Sequence, residues 1–351
     1  VHELVARNIL HGGQWRPRLL DALSDALEAH AALRAAADAD RSFCTDVERL
    51  IDAAVANPGT YNDPYAFANL AAAQRKLRIT APAFWEGVLS HSLEGVEPRG
   101  VSTALHTLST LYAVQDFTEL PRAVAARLLA LAREQARSMP GKDLTISLEA
   151  LAKMRVELDG PTMSKFREAM RESMPYLAPR QVASAVRAAA NLGLHFHGLF
   201  ARAVNFGVRR TATAMNQQDL ANTLYGLAKW THKHEAELVD VLAKAVARRL
   251  RAMRAVEVHD CLVSLSRIGG SGKLSARECA AAAHFAGPGL SPHMQLQLRR
   301  ACRVLGAEIE RDDWMPEAEG VEGRWEGGLW HLASVGQQMD GQEEAEAGAG
   351  R

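Results

Sequence analysis

Residues Asp219 to Trp230 read DLANTLYGLAKW, and this stretch sets the period of the chain. Degraded copies begin at Ala66 (AFANLAAAQRKL), Gly100 (GVSTALHTLSTL), Asp143 (DLTISLEALAKM), Gln181 (QVASAVRAAANL), Glu257 (EVHDCLVSLSRI) and His293 (HMQLQLRRACRV). The seven starts are 34, 43, 38, 38, 38 and 36 residues apart. A register of that length marks a repeat architecture, because a simple bundle repeats its apolar residues with the helical turn and has no need of a longer period.

Six of the seven copies carry apolar residues at positions 2, 6, 9 and 12, as in Leu220, Leu224, Leu227 and Trp230, or Val258, Leu262, Leu265 and Ile268, and the first copy departs only at Gln74. Offsets of four, three and three trace one face of an α-helix. Positions 3 and 10 are small in most copies, as in Ala221 with Ala228, Ala183 with Ala190, Thr145 with Ala152 and Ser102 with Ser109, so neighbouring helices can approach closely. A polar or glycine-bearing break follows each copy, then a second amphipathic segment: Thr162 to Met174, Gly198 to Met215, Glu235 to Met253. Pro98, Pro140, Pro161 and Pro292 fall in the breaks, where helix starts and turns accept proline. One hairpin of this kind cannot bury its apolar face alone. The fold expected is therefore all-α, an α-solenoid in which stacked helical hairpins wind as a right-handed superhelix.

Three regions follow. Residues 1–60 read as an N-terminal helical cap or degenerate repeats, with Trp15, Leu19, Leu20, Leu23 and Leu27 on one face. Residues 61–305 hold the seven-copy array, and residues 306–351 form an acidic, glycine-rich tail anchored at most by Trp314, Trp325, Leu329 and Trp330. Low hydrophobicity and high charge predict that the tail does not order by itself.

The 351 residues carry 41 basic and 41 acidic side chains, but the balance is not local. Residues 1–305 hold 38 Lys/Arg against 29 Asp/Glu, a net of +9, whereas 306–351 hold 3 against 12, a net of −9. Within the array, residues 122–254 hold 22 basic and 11 acidic side chains, a field that attracts polyanions. No apolar run is long enough to span a membrane. The chain starts at Val1 without an Arg/Ser-rich leader or an apolar signal core, so any targeting peptide is expected to have been removed. Cys44, Cys261, Cys279 and Cys302 form no Cys-x-x-Cys pair, and they read as buried free thiols of a reducing compartment.

The segment Leu220 to Trp230, LANTLYGLAKW, resembles the signature helix of octatricopeptide repeat proteins, organellar RNA-binding α-solenoids abundant in green algae, whose helix is shared by the FAST-kinase-like and RAP-domain proteins. The resemblance covers about residues 66–305; it is close in the copy at 219, fair in those at 143, 181 and 257, and weak in the other three. It implies service in mitochondrial or chloroplast gene expression: binding a transcript, or binding ribosomal RNA within an organellar ribosome. The RAP domain that often ends such proteins needs a sheet, and no strand-like segment stands out for it, so nuclease-like activity has no support.

The surface positions agree with an RNA partner. Position 11 is basic in five copies, Lys76, Lys153, Lys229, Arg267 and Arg303, and stacking would align these into a ladder suited to a phosphate backbone. The same position lies in the last turn of its helix, where the dipole favours a cation whatever the protein does. Positions 4 and 7 vary in hydrogen-bonding type, as with Asn222 and Tyr225, Ser184 and Arg187, Thr103 and His106, and such variation suits readers of single bases. A second basic cluster comprises Arg209, Arg210, Lys244, Arg248, Arg249, Arg251 and Arg254.

Catalytic signatures do not survive inspection. Gly269-Gly270-Ser271-Gly272-Lys273 imitates a phosphate loop, but Arg267 stands at the first glycine position and Leu274 replaces the magnesium-binding hydroxyl. His195 with His197 and His232 with His234 form His-x-His pairs in equivalent turns; local contacts or stacking on RNA are favoured over zinc. The expectation is thus a non-enzymatic protein without metal or cofactor. Its first reading is a mitochondrial ribosomal subunit that binds and stabilises ribosomal RNA, its acidic tail held by a neighbouring protein or by its own basic surface. A transcript-specific organellar factor is the second reading, and a protein-binding scaffold the third.

Overall fold

The computed structural model describes residues 56, 58–61, 63–77, 80–112, 118–230, 234–307, 309, 323–326 and 329–332. Residues 1–55, which hold nearly all of the expected cap, and most of the acidic tail lie outside the described residues.

Thirteen α-helices follow one another among the described residues: α1 (Pro64–Leu77), α2 (Pro82–Ser90), α3 (Pro98–Leu111), α4 (Glu119–Gln135), α5 (Gly141–Lys153), α6 (Gly160–Ser173), α7 (Pro179–Asn191), α8 (Gly198–Thr211), α9 (Gln217–Lys229), α10 (Ala236–Arg249), α11 (Ala255–Arg267), α12 (Ala276–Ala286) and α13 (Pro292–Val304). Six of the seven sequence copies are the first helices of hairpins, and the seventh is α13, the last helix described. The helical array is an α-solenoid. Its chain divides into two compact units, Val1–Thr211 and Ala212–Arg351, and the division falls between hairpins.

In the first unit, α1, α3, α5 and α7 pack side by side, while α2, α4, α6 and α8 form the second layer. In the second unit, α9, α11 and α13 are the lateral neighbours, with α10 and α12 against them. The small residues work as the sequence predicts: Ala183, Ala221, Ser102, Thr145, Ala190 and Ser109 are all buried. Hydroxyls also reach across this layer. Thr107 donates to the Ala71 carbonyl at 2.9 Å, and Ser102 donates to Asp143 Oδ1 at 3.0 Å.

Capping sets the register of each hairpin. Proline occupies an early position of α2, α3, α6, α7 and α13. Position 1 of the copy caps its own helix in three successive repeats, because Gln181, Asp219 and Glu257 each accept the backbone N–H three residues earlier. At the other end a left-handed residue closes four first helices: Arg155, Gly193, Gly269 and Gly306 have φ of 54°, 71°, 90° and 86°. The next N–H then returns to a carbonyl inside the helix, as in Val156 to Leu151 and Leu194 to Ala189.

Three second helices end earlier than their periodicity suggests. Met174–Tyr176, Ala212–Ala214 and Leu250–Ala252 tighten into 3₁₀ turns that lead into the next hairpin. Just before each following first helix a buried apolar residue plugs the joint: Val96, Met139, Leu177, Met215 and Met253. Thr223 donates to the Met215 sulfur at 3.5 Å, and Ser147 approaches that of Met139 at 3.9 Å.

Beyond the array the chain forms an antiparallel hairpin, β1 (Gly323–Glu326) with β2 (Leu329–Leu332), in which Trp325 lies opposite Trp330. The sequence reading found no strand-forming segment here. The overlooked signal is the dipeptide Gly327-Gly328 between two short runs containing Trp, a two-residue hairpin pattern that acidic composition obscured.

Candidate nucleic-acid interface

Where first helices pack side by side with their second helices behind, one narrow stripe of each first helix stays open. On α9 that stripe is Gln218, Asn222, Tyr225 and Lys229, and on α5 it is Lys142, Ile146, Glu149 and Lys153. The intervals of four, three and four residues correspond to positions 4, 7 and 11 of the sequence copies, preceded by a position one turn earlier. Arg187, Arg267 and Arg303 are exposed on the equivalent stripes of α7, α11 and α13. Lys76 belongs to α1 by its backbone, but its side chain lies outside the described residues.

Three position-11 cations, Lys229, Arg267 and Arg303, therefore stand on three laterally packed helices of the second unit. Axes of packed helices lie roughly 8–10 Å apart, which sets the rung spacing of this ladder. Partial burial lowers the pKa of Lys229, and burial lowers that of Arg267 against the opposing effects of Tyr225 and Asp260. Tyr225 is an exposed aromatic on the same stripe, a surface on which a base can stack.

The structure adds a rung that the sequence reading missed. Arg99, Lys142 and Arg180 occupy the position one turn before position 4 on α3, α5 and α7, and all three are exposed. They fall just outside the copies as aligned; extending the stripe back by four residues would have found them. Each is the second residue of its helix. There the N–H groups and the macrodipole disfavour a cation.

The second basic cluster separates into two sorts of residue. Arg210 donates to the Leu177 carbonyl, and Arg249 donates to the Thr213 carbonyl at 2.6 Å, each tying the end of a second helix to the joint before its own first helix. Gln135 does the same at Val96, at 2.6 Å. Arg254 bonds Glu257 at 2.7 Å and Gln218 at 2.8 Å. Burial opposes ionisation of Glu257, but these hydrogen bonds prevail and hold its carboxyl below the usual range. Lys244, Arg248 and Arg251 are exposed, and Arg209 is half-buried. Second-helix periodicity could not distinguish the joint-tying arginines from the solvated ones, because the carbonyls they reach lie in irregular segments.

The phosphate-loop imitation is a helix terminator. Gly269 takes the left-handed cap, the Gly270 N–H bonds the Leu265 carbonyl at 2.8 Å, and Lys273 pairs with Asp240 at 2.6 Å. His234 turns inward with Nε2 at 2.9 Å from the Leu227 carbonyl, and His197 Nδ1 lies 3.2 Å from the carbonyl of His195. His232 lies outside the described residues. Among the described residues no group of three or more His, Cys, Asp or Glu side chains is placed to hold a metal ion, and no helix is long and apolar enough to cross a membrane. Cys261, Cys279 and Cys302 are free and buried, while Cys44 lies outside the described residues.

Comparison with models of known protein families and with curated protein sequences found no match to this chain.

Proposed function

We propose that this protein is an organellar RNA-binding helical-repeat protein, a specialised subunit of a mitochondrial ribosome that holds and stabilises ribosomal RNA along the open stripe of its first helices. Its role on this reading is binding rather than catalysis. The observation that carries it is the set Arg99, Lys142 and Arg180. These are exposed first-turn cations on three neighbouring helices, without a side-chain hydrogen bond or ion pair among the described residues. Position-11 cations can be explained by the helix dipole, but first-turn cations oppose it. Within the first unit, a polyanion lying along the stripe accounts for these cations: phosphates meet Arg99, Lys142 and Arg180, Lys153 adds a cation at the other end of α5, and Arg187 faces the bases.

The varied side chains at positions 4 and 7 favour a second reading, a transcript-specific factor that discriminates sequence. The resemblance to octatricopeptide repeats supports either. A salt series of affinities for single-stranded and structured RNA, with and without residues 306–351, tests the proposal. About four phosphate contacts give a slope of log affinity against log salt near −3 for single strands. Absence of binding at low salt without the tail would leave a protein-binding scaffold as the reading.

A further inference from the structure

On the first unit's stripe, position 7 of α3 is His106, which is half-buried between two neighbouring first helices. From α1 comes Arg75, at a position that is small in most other copies. Arg75 is partly buried, and its Nε has no hydrogen-bond partner. From α5 comes Lys153, exposed at position 11. The side chains of all three are without a hydrogen bond or ion pair among the described residues. Burial, then the charges of Arg75 and Lys153, lower the pKa of His106. The third helix packed on α3 is α4, which adds no charge to those acting on the imidazole. Glu149 stands on the stripe one turn before Lys153 but makes no ion pair with it.

Three nitrogen groups on three packed helices, with no carboxylate paired to any of them among the described residues, form a site that lacks its counter-charge. We propose that Arg75, His106 and Lys153 form a phosphodiester-binding subsite that takes up one proton, at His106, when RNA binds. A phosphate between Arg75 and Lys153 offsets their repulsion of the imidazolium, and protonated His106 supplies a third charged donor. The inference rests on the RNA-binding reading above and adds a regulation to it. Affinity rises as pH falls, because the occupied site holds the proton up to a higher pH than the empty one does.

The test is RNA affinity from pH 8 to pH 5.5 at constant ionic strength, with a pool of short single-stranded RNA and the full chain. Wild-type protein is expected to bind about five- to tenfold more tightly at the acid end, because one linked proton changes affinity by at most tenfold per pH unit. His106→Gln should remove most of that gain. His106→Lys, charged throughout, should bind tightly with the gain gone. An H106Q variant that keeps the full pH dependence would overturn the subsite while leaving RNA binding intact. A parallel titration of the His106 imidazole by NMR, with and without pyrophosphate, needs no RNA. An upward shift on addition supports the subsite, and an unmoved titration overturns it. Absence of RNA binding at every pH would instead reject the functional reading.

Discussion

Arg155 occupies, one repeat before Gly193, the same left-handed helix-ending position, with φ of 54° against 71°. Glycine adopts that conformation without a steric penalty, and a residue with a Cβ does not. Arg155→Gly is therefore expected to stabilise the first unit by about 1 kcal/mol, and Gly193→Ala to destabilise it by about as much. Urea unfolding of the two variants measures both, and a destabilised R155G would show that the arginine side chain contributes more than its backbone costs.

The joint-tying arginines give a prediction that separates stability from binding. Arg249 satisfies the Thr213 carbonyl at 2.6 Å, whereas its neighbour Arg248 projects into solvent. Arg249→Ala should cost about 1 kcal/mol in unfolding free energy, while Arg248→Ala should change it by less than about 0.5 kcal/mol. Equal effects from both would remove the structural distinction between them.

Acid should loosen the ties between hairpins. The hydrogen bond from Arg137 holds Glu168 below the usual carboxylate range, and that from Lys273 does so for Asp240. Glu257 is lowered by Arg254 in spite of its burial. A carboxyl with a lower pKa in the folded state adds stability that is fully present above its unfolded value, about 4, and is lost as pH falls through the folded value. Unfolding free energy is thus expected to be level with respect to these groups between pH 7 and 5 and to decline below about pH 4. Glu257→Gln should lower the plateau and flatten part of the decline; an unaltered acid limb would mean that the Arg254 contacts contribute nothing.

The thiols should be silent in the folded protein. Burial raises Cys279 to about 11 and Cys302 to about 12, and it raises Cys261 further still. Thiolate is the reactive species, so native alkylation followed by peptide mapping should leave all three unmodified, and denaturation should expose them. Rapid native labelling of Cys279 or Cys302 would contradict the packing of α12 on α13.

The hairpins were legible because each first helix repeats the same burial problem. Apolar residues at fixed offsets and small residues at the lateral contacts, such as Ala221 and Ala183, reappear wherever one helix packs against two equals. The stripe was legible at positions 4, 7 and 11 for the same reason. What escaped lies where local sequence does not encode the partner. Arg249 and Arg248 look alike until the Thr213 carbonyl is in place, the 3₁₀ turns keep the periodicity of the helices they end, and Arg99, Lys142 and Arg180 precede the copies by one residue. The pair β1–β2 was hidden by the charge around it.

The first-turn cations also provide the most direct test of the functional account. Changing Arg99, Lys142 and Arg180 together to Glu places carboxylates where the helix dipole welcomes them, so the variant should be as stable as wild type or more so, each change contributing about 0.3–1 kcal/mol. RNA affinity measured over a salt series should nevertheless fall, and the slope against log salt should flatten by about 2, the share of three phosphate contacts on a single strand. Loss of binding in a protein of undiminished stability is the predicted result. Unchanged affinity and an unchanged slope would contradict the placement of RNA on this stripe.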